Sequence, residues 1–281
     1  MLISLVLTLA TNKTVRLPAH LGRANYSTTL ARLALFDSSL APDIHDLEGA
    51  KPLTCSSLFG NIEYRDRQAQ YRTGERYWMR LTGINARVSQ AILSAFWENK
   101  PVEWQLAGHT FQVVDAFCHP HHHPWSGSTT YEALAERYLL GESTTQRMHE
   151  VTLEFASPTA FKSKEMQVPL PLPGLVFGSL VDRWNRFSSV ALSEQVRNFG
   201  ELAVEVNQFD LRSVMVEQKN KSLRVGAVGI ASYRAHYQDR YWLGLYQLLA
   251  DFALFSGVGV QTATGMGQTR RLPAGGSKQR G

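Results

Sequence analysis

The sequence has little cysteine and no long hydrophobic run. Cys55 and Cys118 can form at most one disulfide and belong to no C-x-x-C pair, which excludes a disulfide-rich secreted scaffold. No segment approaches the roughly 20 apolar residues that a membrane helix needs. The opening MLISLVLTLA lacks a basic region before its apolar residues and is only as long as one strand. We therefore expect a buried first strand, no membrane partner and a cytoplasmic protein.

The common nucleotide-binding motifs are also missing. The glycine-rich segment GVGVQTATGMGQTRR, residues 257–271, follows an apolar helical pattern, and its cations come after its glycines. This order fits neither a Walker loop nor a Rossmann turn. The amides of such a segment can nevertheless form a concave anion site. The predicted anion-binding residues are Gly257, Gly259, Gly265, Gly267, Arg270 and Arg271.

The composition is that of a globular protein with a polyanionic partner. The chain has 281 residues, of which 44% are hydrophobic and 19% are charged, and its net charge is +5. A chain of this length can build one large or two ordinary cores. The positive charge favours a partner such as a nucleic acid.

The order of predicted elements is β-α-β-β-α-β, and it occurs twice. In the first half we predict strands at 2–9, 52–59, 75–82, 102–106 and 110–117, and helices at 21–36 and 88–98. In the second half we predict strands at 147–155, 202–209, 212–218, 223–233 and 268–272, and helices at 175–186 and 241–255. This order is the ferredoxin-like plan. The fold class is therefore α+β, with two tandem ferredoxin-like domains, a basic cleft and a C-terminal glycine-rich loop.

We place the domain boundaries by this element order. The N-terminal domain covers residues 1–118, a connection covers 119–146, the C-terminal domain covers 147–272, and a tail covers 273–281.

The glycine-rich segment resembles a known signature. A helix, G-x-G, five residues, a second G-x-G and a basic strand are similar to the glycine-rich signature of the CRISPR-associated repeat-RNA endoribonucleases, the Cas6 family of the RAMP superfamily. LEFASPTAF at 153–161 and LPLPGLVFGSLVDRWNRF at 170–187 resemble that family's strand, Ser-Pro turn and helix with a Trp-Asn pair. Weaker matches lie at 17–33 and 45–58.

RNA cleavage by the substrate's own 2′-hydroxyl requires a base, an acid and cations near the phosphate. Histidine suits the first two roles because it titrates near neutral pH, and no metal is needed. The resemblance implies that His45, which follows the first helix, is a general acid or base. It also implies that Lys51 is a basic residue just before the second strand. A loop-capping histidine and a solvated lysine are the alternative interpretations.

The first predicted helix opens with polar residues. Spacing of i, i+3 and i+4 places Arg23, Tyr26 and Ser27 on one helix face. Arg23 would neutralise the scissile phosphate, and Tyr26 or Ser27 would orient the 2′-hydroxyl. His20 precedes this face as an RNA contact. Some members of the resembling family use a tyrosine further along the helix, so the partner of His45 stays open, with Arg32 as a second candidate.

Basic residues elsewhere indicate further RNA contacts. A predicted hairpin carries Lys219, Lys221 and Arg224, and the resemblance implies that it clamps the base of an RNA stem. A solvated turn is the alternative. A second basic run at 65–80 alternates arginine with tyrosine, a combination that suits phosphate contact and base stacking, although part of it can simply pack in a strand.

A histidine cluster at 119–123 is the strongest competing signal, because dense histidines indicate metal binding. Zinc motifs usually draw on two separated ligand pairs, and no second pair stands nearby. We therefore expect no metal and no cofactor.

The resemblance implies a metal-independent endoribonuclease that cuts CRISPR repeat RNA and leaves 2′,3′-cyclic phosphate and 5′-hydroxyl ends. The alternatives are a non-catalytic guide-RNA-binding RAMP subunit of a CRISPR effector complex and a metal-dependent hydrolase built on the histidine cluster. The sequence leaves open whether the protein acts alone, as a homodimer or inside a multi-subunit effector complex.

Overall fold

The computed structural model describes residues 1–141, 148–217 and 222–273. The predicted RNA contacts Lys219 and Lys221 lie outside the described residues, as do position 147 and the part of the predicted tail after residue 273. The chain forms two compact units, one of Met1–Thr130 with Gln261–Met266 and one of Tyr131–Val260 with the chain from Gly267 onward. The predicted boundaries at 118, 146 and 272, and the basic cleft, stay predictions. No helix among the described residues is long and apolar enough to cross a membrane.

The first unit contains a large sheet, a small sheet and helices. Its strands are β1 (Leu2–Ala10), β2 (Val15–Pro18), β3 (Leu53–Cys55), β4 (Phe59–Gly60), β5 (Glu63–Arg65), β6 (Gln68–Tyr71), β7 (Arg76–Gly83), β8 (Glu103–Leu106), β9 (His109–Phe117) and β10 (Gly127–Thr129). Its helices are α1 (Gly22–Ala34), α2 (Leu40–Asp46) and α3 (Ala86–Ile92), which continues as a π-helical turn over Leu93–Glu98.

Strand β1 lies at the centre of the large sheet, whose order is β3-β7-β1-β9-β8 with antiparallel pairing. Leu5 and Leu7 of β1 belong to the buried core cluster that also takes in Leu33 of α1. The β1 side chain of Ser4 donates to the carbonyl of Trp125 at 2.5 Å. The expectation of a buried first strand is confirmed, since Leu2 to Leu7 are all buried.

The small sheet was not predicted. Its order is β2-β6-β5, and β5 and β6 form a hairpin. Its strands have only three or four residues each, so their alternation of apolar and polar residues is too short to be recognised in the sequence.

The second unit repeats the plan. Its strands are β11 (Glu150–Thr159), β12 (Phe161–Ser163), β13 (Met166–Val168), β14 (Val204–Glu217), β15 (Leu223–Ala235) and β16 (Thr269–Arg271). Its helices are α4 (Tyr131–Ala135), α5 (Pro173–Phe187), α6 (Val196–Ala203) and α7 (Arg240–Ser256). The sheet order is β14-β15-β11-β16, and β12 pairs with β13. Trp184 of α5 and Phe252 of α7 meet edge to face in the core, with ring centroids 5.2 Å apart.

Three predicted elements differ from the structure. The separate strands expected at 202–209 and 212–218 are one strand, β14, which pairs with β15 along its length and shifts register between Val206 and Gln208. Residues 202 and 203 end helix α6 instead of starting a strand. The strand expected at 52–59 is divided into β3 and β4, which both pair with β7.

The predicted fold class is confirmed for both units. When the added strands are left aside, each sheet has the order second-third-first-fourth, which is the ferredoxin-like arrangement. Each unit is therefore an α+β domain with its own core.

Candidate functional site

The start of α1 packs against part of the glycine-rich segment. A Cβ at Gly22 would lie 2.3 Å from the carbonyl oxygen of Thr264, and a Cβ at Gly265 would lie 2.8 Å from Gly22 Cα. Gly265 has a φ of 105° and forms a parallel bridge with Ser56. The two backbones approach this closely because both positions lack a side chain. Residues 261–266 are thus built into the first unit, beside the predicted catalytic helix.

A buried amide fixes the orientation of α1. Asn25 donates through Nδ2 to the Ser56 carbonyl at 2.8 Å, and its Oδ1 accepts from Trp104 Nε1 at 3.2 Å. Just before the helix, the Leu21 amide donates to Ser57 Oγ at 3.0 Å. A buried polar group that is satisfied on both sides holds one orientation.

Gly22, Asn25 and Ser57 were not among the predicted site residues. One signal was available: positions 22, 25, 29 and 33 form a buried stripe at helical spacing, and a glycine and an asparagine in such a stripe indicate close contact and a polar partner.

The predicted polar face of α1 is present, and its three members differ in exposure. Arg23 and Ser27 are exposed, while Tyr26 is half-buried. Burial raises the pKa of Tyr26 to about 12, with a smaller contribution from Cys55. The phenol therefore stays protonated near neutral pH and can donate a hydrogen bond. His20 is half-buried and precedes the helix by two positions.

His45 lies in a helix and not in the loop that the sequence analysis expected. Helix α2 contains Pro42 near its start, where proline is tolerated because the amide would have no helical partner. Leu40 and Ile44 of α2 enter the core cluster, and His45 is exposed in the last turn. The apolar contacts of its helix therefore direct this imidazole to solvent.

Lys51 lies close to the backbone of His45. Its Nζ donates to the His45 carbonyl at 2.8 Å and also to the Leu47 carbonyl. An ammonium group at this place caps the C-terminal carbonyls of α2. The contact is with the backbone of His45, so Lys51 supports the position of the helix end.

Arg87 of α3 holds the N-terminal part of α2. Its guanidinium contacts Asp37 Oδ2 at 2.7 Å, Asp43 Oδ2 at 2.6 Å and Ser39 Oγ at 2.6 Å. Arg87 lowers the pKa of the Asp37 carboxyl to about 2, chiefly through this hydrogen bond. The helix that carries His45 is thus held at one end by Arg87 and at the other by Lys51.

Arg32 is engaged at the end of another helical segment. Its guanidinium donates to the Ala95 carbonyl at 3.2 Å and to the Asn99 carbonyl at 2.5 Å. It also lies over the Phe36 ring at 5.4 Å. These contacts give Arg32 a capping role on the π-helical turn after α3.

Three of the four glycines lie in the second unit, where their amides are already used. The amides of Gly257, Gly259 and Gly267 donate to the Ala253 carbonyl, to Ser179 Oγ and to the Pro158 carbonyl, respectively. The predicted role as amide donors for RNA therefore does not hold for these glycines. The reason is close packing: a Cβ at Gly259 would lie 2.3 Å from the Ala160 carbonyl oxygen.

A buried arginine completes this packing. Arg183 of α5 donates through Nη2 to the Gly259 carbonyl at 2.6 Å. Burial lowers the pKa of Arg183 to about 10, so the side chain stays charged near neutral pH. The first G-x-G of the segment is thereby fixed to α5.

The basic strand after the glycines is paired as well. Arg270 Nε contacts Glu154 Oε2 at 2.8 Å, and Arg271 Nη1 contacts Asp251 Oδ1 at 3.3 Å. Both arginine side chains are less than one-third exposed. Arg224 is half-buried in β15, opposite Val216. These three residues lie in the second unit, as do Gly257, Gly259 and Gly267, while the catalytic candidates lie in the first.

The histidine cluster packs on aromatic side chains of the first unit. The His123 ring lies 4.8 Å from the Trp78 ring, and the rings of His119 and His121 are 4.9 Å apart. Within the described ranges, no group of three or more His, Cys, Asp or Glu side chains is arranged to hold a metal ion.

The fold and its solved relatives define the class of protein. A RAMP protein described as binding different RNA substrates has a TM-score of 0.61 and 14% identity, and the match covers 96% of this chain and 100% of that chain. A Cas6 product complex has a TM-score of 0.77 and 26% identity, covering 97% of this chain and 99% of that one. Cas6 of Thermus thermophilus gives 0.70 and 26%, covering 97% and 98%. The chain therefore has the fold of these Cas6 and RAMP structures, with two ferredoxin-like units.

A match to a family model lies mostly in the second unit. The family model for CRISPR-associated endoribonuclease Cas6 matches residues 153–269. No curated protein sequence matches the chain. With the Cas6 structures above, this match shows that the chain is similar to the Cas6 family. The resemblance seen in the sequence is confirmed.

Proposed function

We propose that this protein cuts CRISPR repeat RNA by attack of the substrate's 2′-hydroxyl on the adjacent phosphate, without a metal ion. The observation that carries the proposal is the exposed imidazole of His45 on a helix held at both ends, in the same unit as Arg23 and Tyr26 of α1. Cas6 structures described as product and substrate-mimic complexes support RNA as the substrate.

The reaction needs two proton transfers. A base removes the proton of the 2′-hydroxyl, the 2′-oxygen attacks phosphorus, and the 5′-oxygen leaves with a proton from an acid. The products carry a 2′,3′-cyclic phosphate and a 5′-hydroxyl. His45 takes one of the two proton-transfer roles, because imidazole exchanges protons near neutral pH. One of the similar Cas6 structures is that of a histidine-to-alanine mutant.

The other candidates act on charge and position. Arg23 is exposed in the first turn of α1, where the helix dipole also favours an anion. It therefore stabilises the negative charge on the phosphate oxygens. Tyr26 is protonated and donates to a phosphate oxygen or to the 2′-oxygen, with Ser27 beside it. Lys51 acts through the end of α2 and is therefore a positioning residue.

RNA contact by residues of the second unit requires side chains other than the paired arginines. Arg270 and Arg271 bind Glu154 and Asp251, so we assign them to the scaffold. Arg224, with the neighbouring hairpin residues, keeps its proposed RNA contact. In the first unit, His20 precedes α1 and keeps its proposed contact with RNA backbone.

The decisive experiment compares two histidine variants. We expect His45→Ala to lower the single-turnover cleavage rate of the repeat RNA by about 10²–10⁴-fold. His121→Ala, which removes another exposed imidazole of the same unit, is the matched control and should cut normally. The parent protein should also cut in the presence of EDTA.

Each alternative function gives its own result. RNA binding without any cutting by the parent protein would identify a non-catalytic guide-RNA-binding subunit. Loss of cutting in EDTA, together with normal cutting by His45→Ala, would point to a metal-dependent hydrolase.

A further inference from the structure

The hairpin of β5 and β6 presents a charged and aromatic surface that the proposed reaction does not use. The side chains of Arg65 and Asp66 at its tip are 85% and 89% exposed, and Tyr64 is 61% exposed. Arg16 on the neighbouring strand lies opposite Gln70. A surface depression is lined by Arg16, Glu63, Arg65, Asp66, Gln68 and Gln70.

The small sheet has one polar face, which is exposed, and one apolar face, which packs against the core. Leu17, Ala69 and Tyr71 alternate with the polar residues and are buried in the core of the unit. The exposed side chains therefore stand on strands whose opposite face is packed against the core. This separation also divides the tyrosines of the basic run: Tyr71 and Tyr77 are buried, and Tyr64 is exposed.

The tip of the hairpin lies at the entrance to α1. Asp66 and Arg67 both have positive φ, 50° and 62°, as a two-residue turn between twisted strands requires. The Ala19 amide donates to the Arg67 carbonyl at 2.9 Å. The tip is thus joined to the residue that precedes His20, and α1 with Arg23 begins three positions after Ala19.

The chemistry of this surface fits unpaired RNA. Arginine guanidinium groups bind phosphate through two hydrogen bonds, and glutamine amides bind base edges or a 2′-hydroxyl. An exposed tyrosine ring can stack only on a base that is not already stacked in a duplex. The acidic side chains do not cancel the arginines: Glu63 pairs with Arg72 at 2.6 Å, and the Asp66–Arg65 pair at 3.4 Å is so exposed that it contributes little.

We propose that the β5–β6 hairpin, with Arg16, Arg65, Arg67 and Tyr64, binds a single-stranded RNA segment that adjoins the cleaved phosphate. The proposal rests on the proposed function, since it takes the repeat RNA as the ligand. It assigns to this hairpin the recognition of unpaired nucleotides beside the stem.

The test uses two RNA probes and one double variant. The probes are the repeat stem-loop alone and the same stem-loop extended by unpaired nucleotides, and dissociation constants are measured over a range of salt concentrations. The variant is Arg65→Gln with Arg67→Asn, because asparagine tolerates the positive φ at position 67. We expect affinity for the extended RNA to fall about 10-fold or more, and the slope against log salt to fall by about 1 for each arginine.

Asp66→Asn is the matched control in the same turn. It removes a negative charge, so affinity for the extended RNA should stay equal or rise. An unchanged affinity of the double variant for the extended RNA, or an equal loss for both probes, overturns the hairpin proposal. A parent protein that binds neither probe overturns the proposed function itself, which is a different result.

Discussion

The two units share one strand order but use their charged residues differently. In the first unit, Arg23, Ser27 and His45 are exposed on helices whose other faces are buried. In the second unit, Arg183, Arg270 and Arg271 are engaged with a carbonyl or a carboxylate of the same unit. The comparison teaches that an arginine beside a glycine-rich motif is not automatically a ligand-binding residue. The first unit presents some of its charged groups to solvent, whereas these three arginines of the second unit build its frame.

The largest effect is expected at a glycine of the second unit that packs directly against backbone. Gly259 has a φ of 79°, and a Cβ there would lie 2.3 Å from the Ala160 carbonyl oxygen. Gly259→Ala should lower the free energy of unfolding by about 3 kcal/mol or more, because the backbone must move. Gly74→Ala is the control, since Gly74 has a similar φ of 87° but no atom within 4 Å of its Cβ. It should cost only about 1–2 kcal/mol.

Chemical denaturation of the two variants measures this difference. Equal losses of stability would show that the left-handed backbone, and not the contact with Ala160, is the reason for glycine at position 259. In that case the first G-x-G would have no packing role of its own.

Arg23→Gln and Arg270→Gln test the comparison directly. The first changes an exposed arginine of the first unit, and the second changes a paired arginine of the second unit. Arg23→Gln should reduce the cleavage rate by about 10²-fold while leaving stability nearly unchanged, because an exposed cation near the phosphate is lost. Arg270→Gln should lower stability by about 1–2 kcal/mol, because Glu154 is only 17% exposed and loses its charged partner. Rates are measured at saturating RNA and stability by thermal unfolding. If Arg270→Gln instead slowed cleavage and Arg23→Gln lowered stability, the roles of the two residues would be exchanged.

A smaller effect is expected from the contacts that hold α2. Arg87→Gln should reduce the cleavage rate by about 10-fold without changing the affinity for RNA, because His45 would be less well placed. Arg197→Gln is a suitable control: Arg197 also pairs with an exposed carboxylate, Asp182 at 2.7 Å, but lies on α6 of the second unit. A pH–rate profile adds a second readout, since displacement of His45 should change the profile while a general loss of stability should not. Identical profiles and rates would remove Arg87 from the positioning role.

The smallest effect concerns the titration of Asp37. Its pKa is lowered to about 2 by Arg87, so the ion pair supports the region before α2 at every pH above the usual pKa of aspartate. This support is lost as the pH falls through about 2 in the folded protein. Carbon-detected NMR of the carboxyl group should show the low midpoint, and Arg87→Gln should return it toward the usual value. A normal midpoint in the parent protein would contradict the contact.

The long elements could be predicted from the sequence because their apolar periodicity is strong. Strand β1 and helices α1, α5 and α7 begin and end within a few residues of their expected positions. Helix α6 was missed because it has eight residues, among them Gly200 and Asn198, and follows no cap with a side-chain hydrogen bond. Helix α2 was missed for the similar reason that it is short and contains Pro42.

The arrangement of the site could be predicted only in part. The positions of Arg23, Tyr26 and Ser27 follow from helical spacing, whereas their exposure depends on what packs against α1. The contact of Gly22 with Gly265 joins opposite ends of the sequence, and local patterns carry no information about such pairs. The engagement of Arg270 and Arg271 likewise depends on which strand and which helix lie beside them.

The assignment of residues 261–266 to the first unit has a consequence for biosynthesis. A ribosome translates α1 early and reaches Gly265 only after the chain up to Val260 has been made. The surface beside Arg23 therefore stays incomplete on the nascent chain until residues 261–266 have been made, and a polypeptide released before that point would lack it. Late completion would delay any RNA cutting until both units exist.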